Sequence, residues 1–305
     1  MNDAWIESDS LSKKFSESYA INDVSFKLVE NSSSLIGPNR AGKSTLIGMM
    51  EGLIHPTNGY IRVLNRYPEE SALEIRKKIG FTPERPSFYV VKTVEEALQK
   101  IINLKHSTVQ EIKELIDVFD FGKYLNRRIS SLSLGEQQIL SVITAISWGK
   151  EAVILDEPNA NLDIWRRSEF LNVLERELRS RGLKYLISTH LLDKTLPFTE
   201  RTILLNRGKI VFDGKTEYLI TKFTDDYIFL TSNQINEIAF ILNKLGFDPQ
   251  KISNFTLKVK IETPISDLLR DIPDKLQKSI LRIERTPLED IIRQLIESSC
   301  GDDLY

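Results

Sequence analysis

The stretch that decides the fold is GPNRAGKS, residues 37–44. Its first glycine and the triplet GKS are separated by four residues, which is the spacing of a loop that wraps a phosphate group. The apolar segment SSSLIG before the loop is typical of a buried strand, and KSTLIGMMEGL after it has the pattern of a helix. A strand, a glycine loop and a helix in this order turn backbone N–H groups toward an anion at the positive end of the helix. The sequence therefore predicts a phosphate-binding loop at this position.

We expect nine consecutive residues to surround the bound phosphates. Lys43 would reach the β- and γ-phosphates of a nucleotide, and the Ser44 hydroxyl would bind Mg²⁺. The nine residues are Gly37, Pro38, Asn39, Arg40, Ala41, Gly42, Lys43, Ser44 and Thr45. The alternative is a glycine-rich turn that binds nothing, and the flanking strand and helix make it the weaker interpretation.

Two acidic residues follow the apolar strand AVILD, residues 152–156. Asp156 and Glu157 would lie at the C-terminal edge of a parallel sheet, where ligands bind in folds of this kind. We expect Asp156 to hold Mg²⁺ through water, and Glu157 to orient or deprotonate an attacking water. In isolation the pair is more simply a strand that ends in solvated acids, but a phosphate loop upstream favours the catalytic interpretation.

The polar stretch SLSLGEQQ, residues 131–138, precedes a helix that the pattern predicts over 137–148. Ser133 and the N–H groups around Gly135 would form a second anion site at the N-terminus of that helix. The alternative is an ordinary helix start, because serine is a common N-cap residue.

The composition restricts the class of protein. The chain has 305 residues and a net charge of −2, whereas a general nucleic-acid-binding protein usually has a basic excess. The single cysteine, Cys300, excludes an internal disulfide and a cysteine-rich metal site. The start MNDAWIESDS does not resemble a signal peptide, and the most apolar stretch, ILSVITAISW (139–148), is too short to span a bilayer. We therefore expect any membrane role to depend on a partner.

The order of strand and helix patterns indicates two domains. From about 93 to 148 the pattern is helical, and beyond that strands and helices alternate, which favours a parallel sheet with helices on its faces. The polar segment TKFTDD (221–226) precedes a second series of strand and helix patterns. We predict an α/β nucleotide-binding domain over 1–222, with a helical subdomain at about 85–150, and a small C-terminal α+β domain over 223–305.

Five motifs in a fixed order resemble the ABC ATPase cassette. They are the phosphate loop, the signature LS-x-G-E, the strand ending in DEP, the triplet NLD (161–163) and STH. The resemblance covers roughly residues 4–220 and implies a P-loop NTPase fold of the ABC type, with a mixed sheet and a helical subdomain. It also implies that two cassettes enclose two ATP molecules with Mg²⁺. Ser133 and Gly135 of one subunit, with Glu136 beside them, would then cap the γ-phosphate bound by Lys43 of the other.

The resemblance assigns roles to four further positions. Phe15 matches the aromatic residue that stacks on adenine, with Tyr19 as the alternative, although either could be a packing residue. His190 matches the switch histidine that contacts the γ-phosphate. Asp163 matches the D-loop that crosses the dimer interface. Glu84 stands where the family usually has the glutamine that reaches Mg²⁺ and the attacking water.

Several positions depart from the pattern of the family. Glu84 supplies carboxylate oxygens but lacks the amide donor of glutamine. Leu134 and Glu136 replace the usual Gly and Gln of the signature, and Arg40 and Asn161 each replace a residue that is usually small. We expect these departures to affect the rate of the reaction more than its type.

Arg40 needs an explanation, because a residue without a large side chain would fit more easily inside a phosphate loop. In the dimer of the family this loop faces the D-loop of the partner. We therefore expect Arg40 to donate a hydrogen bond to Asn161 of the other subunit. The alternatives are that Arg40 acts on ATP directly or that it only projects into solvent.

The leading prediction is the ATP-hydrolysing subunit of an ABC transporter with separate transmembrane permease subunits. It would act as a homodimer, or as a heterodimer with a related cassette, in the cytoplasm on the inner face of the membrane. Residues 84–105 would transmit motion to the permease. The alternatives are a soluble ABC ATPase that acts on DNA or ribosomes and a regulatory module with little turnover. No nucleic-acid partner is expected, since the extra modules common in such proteins are not visible.

The C-terminal domain carries a weaker resemblance. A short α+β extension ending in a TPLEDII helix is similar to that of ATPase subunits in drug- and polysaccharide-type exporters. An additional dimerisation surface is the alternative, and the sequence does not decide between them.

Overall fold

The computed structural model of the chain describes residues 3–88, 92–104, 107–189, 198–224, 227–261, 265–285 and 288–299. The chain divides into two compact units, residues 1–216 and 217–305. The division falls at the start of a helix, Thr216–Thr224, and the predicted domain boundary after residue 222 lies near the end of the same helix.

The first unit contains most of the regular structure. Its strands are β1 (Ile6–Phe15), β2 (Ser18–Leu28), β3 (Ser32–Ile36), β4 (Asn58–Val63), β5 (Ile79–Thr82), β6 (Ala152–Asp156), β7 (Lys184–Thr189), β8 (Arg201–Asn206) and β9 (Lys209–Lys215). Its helices are α1 (Lys43–Met50), α2 (Pro68–Arg76), α3 (Val94–Asn103), α4 (Val109–Val118), α5 (Leu134–Trp148) and α6 (Ile164–Ser180), with 3₁₀ turns at Gly122–Tyr124 and Ile129–Ser131. The helix at the division is α7 (Thr216–Thr224).

The central sheet has six strands in the order β5-β6-β7-β3-β8-β9. The first five are parallel, and β9 is antiparallel to β8. A two-residue turn joins these last two strands, and both of its residues have positive φ, 46° at Arg207 and 78° at Gly208. Such a turn returns the chain beside the strand it has left. The sheet is therefore mixed, as the resemblance to the ABC cassette implies.

One core of the first unit anchors both ends of the loop between β3 and α1. It lies between the central sheet, α1 and a three-stranded antiparallel sheet of order β2-β1-β4. All five residues of β3 are buried, and α1 buries Leu46, Met49 and Met50. Since the strand before the loop and the helix after it are both fixed by burial, the loop is held at the C-terminal edge of the sheet.

The helical part of the first unit, α3 to α5, shares a second core with β6 and α6. Capping boxes start α3 and α4: Thr93 pairs with Glu96, and Thr108 pairs with Glu111. In each box the side-chain oxygen of the threonine accepts from the backbone N–H of the glutamate, and the glutamate accepts from the threonine N–H. These caps fix where the two helices begin.

Two helices differ from the sequence prediction. α5 begins at Leu134 rather than at residue 137, because Ser133 and Glu136 form a third capping box that starts the helix earlier. α2 was not predicted, although Pro68 at its first turn is a common start signal. α5 has 15 residues, and no described helix is both long and apolar enough to cross a membrane.

The second unit combines one antiparallel sheet with helices. Its elements are β10 (Tyr227–Ser232), α8 (Ile235–Lys244), β11 (Gln250–Lys251), β12 (Thr256–Lys260), α9 (Ile265–Arg270), α10 (Asp274–Gln277), β13 (Ile280–Arg285) and α11 (Leu288–Ser299). The strand order is β11-β12-β10-β13. Burial alternates along β10, where Ile228 and Leu230 point toward a core shared with α8, α9 and α10. This unit is therefore of the α+β type.

Candidate functional site

The loop between β3 and α1 packs against neighbouring backbone at two glycines. An ideal Cβ on Gly37 would lie 2.2 Å from the carbonyl oxygen of Leu205, and one on Gly42 would lie 2.4 Å from that of Ala20. Gly42 also has a φ of 110°, which residues with a side chain rarely adopt. Glycine is therefore required at both ends of the loop, and the spacing seen in the sequence follows from this packing.

Arg40, between these glycines, has a left-handed φ of 67°. This conformation is uncommon for residues other than glycine and disfavoured by the Cβ atom. The side chain is exposed and borders the cavity formed by the loop. Within the described residues it has no hydrogen bond or ion pair, so the loop leaves a cation available at the rim of the cavity.

Lys43 is buried at the start of α1 and holds the loop closed. Its Nζ donates to the carbonyl oxygens of Gly37, at 2.7 Å, and of Pro38, at 3.4 Å. The same Nζ lies 3.6 Å from Oε1 of Glu157, which is also buried. A buried ammonium needs such partners because an isolated charge is costly to remove from water. The lysine thus joins the phosphate loop to the acidic end of β6.

Glu157 follows β6 with a φ of 49°. Its backbone N–H donates to Oγ of Ser188, at 3.1 Å, and to the Ser188 carbonyl, at 3.2 Å. These contacts turn the chain at the edge of the sheet and direct the carboxylate toward Lys43. Ser188 was given no role from the sequence. Its role depends on the register of β7 beside β6, in which Ser188 pairs with Asp156.

Asp156 is buried at the end of β6 and accepts a hydrogen bond from the Ser188 hydroxyl. Burial raises the pKa of this carboxyl above its ordinary value. Hydrogen bonds from Ser188 and Ser44 act in the opposite direction, and the nearby carboxylates of Glu157 and Glu84 raise the pKa further. Two hydroxyls and three carboxylates therefore converge here, and the carboxylates would repel one another without a cation.

The loop encloses a cavity of about 550 Å³. All the predicted loop residues except Gly37 line it, together with Phe15, Ala20, Glu84, Glu157 and Ala160. Phe15, at the end of β1, is 48% exposed, and Nζ of Lys13 lies 5.0 Å from its ring centroid. Tyr19 is not a lining residue. Phe15 therefore has an accessible ring at the cavity, as stacking on a base requires.

The donor set at the inner end of this cavity fits Mg²⁺. Ser44 and Glu84 line the cavity, and Asp156, which does not line it, hydrogen-bonds to Ser44. Together they supply a hydroxyl and two carboxylates, and Mg²⁺ prefers oxygen ligands of this kind. The described residues contain no cluster of three or more His, Cys, Asp or Glu side chains arranged for a resident metal ion. The arrangement suits an ion that arrives with phosphate groups, because such an ion needs only one or two protein carboxylates.

Ser133, Gly135 and Glu136 lie at the N-terminus of α5 and do not line the cavity. Ser133 is exposed. An ideal Cβ on Gly135 would lie 2.7 Å from the carbonyl oxygen of Asn161. The first turn of α5 therefore contacts the loop after β6 within one chain, and no side chain larger than glycine fits there.

Asp163 is the N-cap of α6, where its Oδ1 accepts from the backbone N–H of Arg166 at 2.9 Å. The loop before it is held by Arg167, a residue to which the sequence gave no role. Nε of Arg167 donates to the Leu162 carbonyl at 2.8 Å, and its Nη2 donates to that of Ala160 at 3.3 Å. A basic residue one turn into a helix can reach back to carbonyls in this way. His190 lies outside the described residues.

A second cavity of about 440 Å³ lies in the same unit, between the end of α1, β5 and helices α3 and α5. Its walls are largely apolar, and its charged lining residues are Glu51, Arg76 and Lys100. Burial raises the pKa of Glu51 to about 7, the charge of Asp156 raises it as well, and Arg76 acts to lower it. Glu51 carries no motif in the sequence, and only the fold shows that this residue after α1 lines the cavity.

Comparisons with known proteins identify the family of the chain. A model described as ABC transporter matches residues 21–160. The chain is 33% identical over 216 residues to YxlF of Bacillus subtilis (strain 168), an uncharacterized ABC transporter ATP-binding protein, and the match covers 69% of this chain and 71% of YxlF. It is 32% identical over 216 residues to the ABC transporter ced-7 of Caenorhabditis elegans, covering 68% of this chain but only 12% of ced-7.

A solved structure agrees at the level of the fold. The dimeric structure of MJ0796, a bacterial ABC transporter cassette, has a TM-score of 0.60 at 22% identity, and the match covers 69% of this chain and 98% of that one. The chain thus shares the fold of an ABC transporter cassette over about two thirds of its length. The chain belongs to the ABC transporter family, as an ATP-binding cassette of that family.

Proposed function

We propose that the chain binds ATP with Mg²⁺ in the phosphate-loop cavity and hydrolyses it to power an ABC transporter through separate membrane subunits. The observation that carries this proposal is the position of Lys43. Its buried ammonium lies within hydrogen-bonding distance of two loop carbonyls and 3.6 Å from the carboxylate of Glu157. A cation held between a phosphate loop and a catalytic carboxylate is the arrangement that phosphoryl transfer to water needs.

The loop residues 37–45 bind and position the triphosphate. Backbone N–H groups at the start of α1 point toward the β- and γ-phosphates. Lys43 exchanges its weak carbonyl partners for phosphate oxygens, which form stronger, charge-assisted hydrogen bonds. Phe15 stacks on the adenine at the open side of the cavity.

Glu157 orients the attacking water and takes its proton, because its carboxylate lies at the inner wall of the cavity next to Lys43. Ser44, Glu84 and Asp156 hold Mg²⁺, which when bound offsets the negative charge of the phosphates. Ser188 positions both acids, through the hydroxyl that it donates to Asp156 and the contacts with the Glu157 backbone. The contact of His190 with the γ-phosphate stays a prediction.

The second half of the site belongs to a partner cassette. Ser133 and Gly135 lie at the exposed start of α5, away from the cavity of their own chain, where they can cap a γ-phosphate only in another subunit. The solved MJ0796 cassette is dimeric, which supports an arrangement of two chains around two nucleotides. The partner is a second copy of this chain or a related cassette.

The cavity between α1, β5, α3 and α5 is the docking site for the permease. Its apolar lining includes Phe81, Ile101 and Trp148, and α3 lies in the segment 84–105 that leads from Glu84. A permease helix seated there would sense the nucleotide through this segment. On this basis the chain acts in the cytoplasm, at the inner face of the membrane. An exporter of the drug or polysaccharide type is a separate prediction, which rests on the resemblance of the C-terminal extension alone.

Steady-state ATPase measurement with and without Mg²⁺ tests the proposal. The wild-type chain should release phosphate only with Mg²⁺, and Lys43→Ala should abolish this activity. Lys77→Ala is the matched control, since Lys77 is exposed and lies outside the cavity. ATP binding without turnover in the wild type would instead indicate a regulatory nucleotide-binding module.

A further inference from the structure

The described part of the chain contains three capping boxes of nearly the same geometry. In α5, Ser133 N–H donates to Oε2 of Glu136 at 2.8 Å, and Glu136 N–H donates to Ser133 Oγ at 3.2 Å. In α4 the corresponding distances between Thr108 and Glu111 are 2.8 and 3.1 Å. The box in α3 is built in the same way. Only the box in α5 coincides with the residues proposed to cap the γ-phosphate of the partner.

Glu136 is held as an anion at this position. Burial acts to raise the pKa of its carboxyl, but the hydrogen bonds from Ser133 N–H and the Tyr124 hydroxyl outweigh burial and keep the pKa below its ordinary value. The N-terminus of a helix carries roughly half a positive charge, and one anion beside it offsets much of that charge. Ser133 N–H is also already donated to the carboxylate.

A γ-phosphate from the partner would meet the same end of the helix. The backbone N–H groups of Leu134 and Gly135 remain for it, since the first N–H groups of a helix have no partner within the helix, whereas the Ser133 hydroxyl and the Glu136 N–H are engaged within the capping box. The phosphate therefore has donors at this position, but it approaches a fixed negative charge. Like charges at this range repel, and salt weakens the repulsion where the groups are exposed.

We infer that the Glu136 carboxylate is a resident anion at the N-terminus of α5 that competes with the γ-phosphate of the nucleotide bound by the partner cassette. It thereby weakens ATP-dependent closure of the dimer. The inference rests on the proposed shared site and adds a residue that sets the affinity of that site for the third phosphate. A neutral side chain of the same shape would keep the cap and remove the competition.

Glu136→Gln tests this directly, because the glutamine carbonyl can still accept from Ser133 N–H. The full chain carries Glu157→Gln to slow turnover, and the dimer dissociation constant with Mg²⁺-ATP is measured by sedimentation velocity at low and high salt. Dimerisation should tighten roughly three- to tenfold, since each of two sites loses one repulsive charge. The gain should shrink at high salt, and ADP should give none.

Glu111→Gln is the matched control. This variant removes the charge of the capping box of α4, which lies away from the signature. As in the box of α5, a side-chain hydroxyl also donates to the carboxylate; here it is that of Ser107. The variant should lower the melting temperature about as much as Glu136→Gln and leave the dimer unchanged. If both variants shift the dimer equally, the effect of Glu136 is only on helix stability and the inference is wrong.

Unchanged or weaker dimerisation in Glu136→Gln would also overturn the inference, and weaker dimerisation would mean that the carboxylate attracts a cation of the partner. These outcomes leave the proposed function in place. A Glu157→Gln parent that binds ATP yet stays monomeric would instead refute the shared site, and this inference with it.

Discussion

The two halves of the proposed nucleotide site differ in how they are built. The phosphate-loop half is buried and held by contacts within one chain: Lys43 lies between loop carbonyls and Glu157, and Ser188 fixes the acidic end of β6. The α5 half is exposed, and its Ser133 and Glu136 hydrogen-bond to each other. The phosphate-loop half is thus ordered within a single chain, whereas the α5 half is a surface that needs a partner to complete the site.

This difference indicates which half of the site must reorganise when ATP binds and the dimer closes. Burying Lys43 and the acids carries a desolvation cost that folding has already met, so the phosphate-loop half needs little reorganisation when ATP binds. The α5 half must lose water and accept a phosphate beside an existing anion. We therefore expect substitutions in the first half to change turnover or stability strongly, and those in the second half to change dimerisation more moderately.

The largest effect is expected at Glu157. Glu157→Gln removes the carboxylate that takes the proton of the attacking water, so turnover should fall roughly 10²- to 10⁴-fold while ATP affinity is retained. Phosphate release and nucleotide titration measure the two quantities. Glu151→Gln serves as control, because Glu151 lies before β6 and forms an exposed ion pair with Lys78. Hydrolysis at the wild-type rate in Glu157→Gln would remove this residue from the mechanism.

The next effect concerns stability and comes from Glu51. Its pKa in the folded chain is about 7, against an ordinary 4.5. The folded state therefore binds this proton more tightly than the unfolded state, and the associated stability is full below pH 4.5 and lost as pH rises through 7. Glu51→Gln cannot ionise, so its stability relative to wild type should rise between pH 5 and pH 8, by at most about 3 kcal/mol.

Urea unfolding across that pH range measures the change. Glu74→Gln, which alters an exposed carboxyl of α2, should show no such trend. If the difference between Glu51→Gln and wild type is the same at pH 5 and pH 8, the carboxyl is not desolvated in the folded chain.

An intermediate effect on dimerisation is expected at Arg40, which lies in the phosphate-loop half of the site but would contact the partner subunit. A hydrogen bond from its guanidinium to Asn161 of the partner contributes roughly 1.5–3 kcal/mol, so Arg40→Asn should weaken ATP-dependent dimerisation about tenfold. Asparagine tolerates the left-handed φ of 67° at this position, which makes it a better replacement than alanine.

A double-mutant cycle with Asn161→Ala in the Glu157→Gln background separates the possible partners of Arg40. Coupling below about 0.5 kcal/mol would mean that the two residues act independently. If Arg40→Asn lowers ATP affinity of the monomer instead, the arginine acts on the nucleotide of its own chain.

The smallest effect is expected from removal of the second unit. Truncation after residue 222 leaves every nucleotide motif in place, so ATP affinity should stay within about twofold of the full chain. Circular dichroism checks that the shortened chain folds, and nucleotide titration checks binding. A folded product that cannot bind ATP would contradict the division at α7.

How much of this could be predicted from the sequence depends on the range of the interactions. The phosphate loop was predictable because Gly37 and Gly42 meet a local steric demand that leaves a fixed spacing. The capping boxes at Thr93 and Thr108 were predictable for the same reason, since cap and helix are three residues apart.

Contacts between distant segments were not predictable. Ser188 reaches Asp156 only because β6 and β7 are neighbours in a particular register, and Glu51 is enclosed only because α3 and β5 pack near the end of α1. Arg167 is an intermediate case, since it contacts a loop only five and seven residues before it but carries no motif.

The measurement that tests the central claim most directly is the ATPase activity of tagged mixed dimers carrying Lys43→Ala and Ser133→Arg. With one substitution on each chain, both defects fall in a single site and the other site is intact, so up to half of the activity should remain. With both substitutions on one chain and a wild-type partner, each site has one defect and activity should be lost. If each site is instead contained within one chain, the doubly substituted dimer will be active and the singly substituted pair inactive, which would contradict a site shared between two subunits.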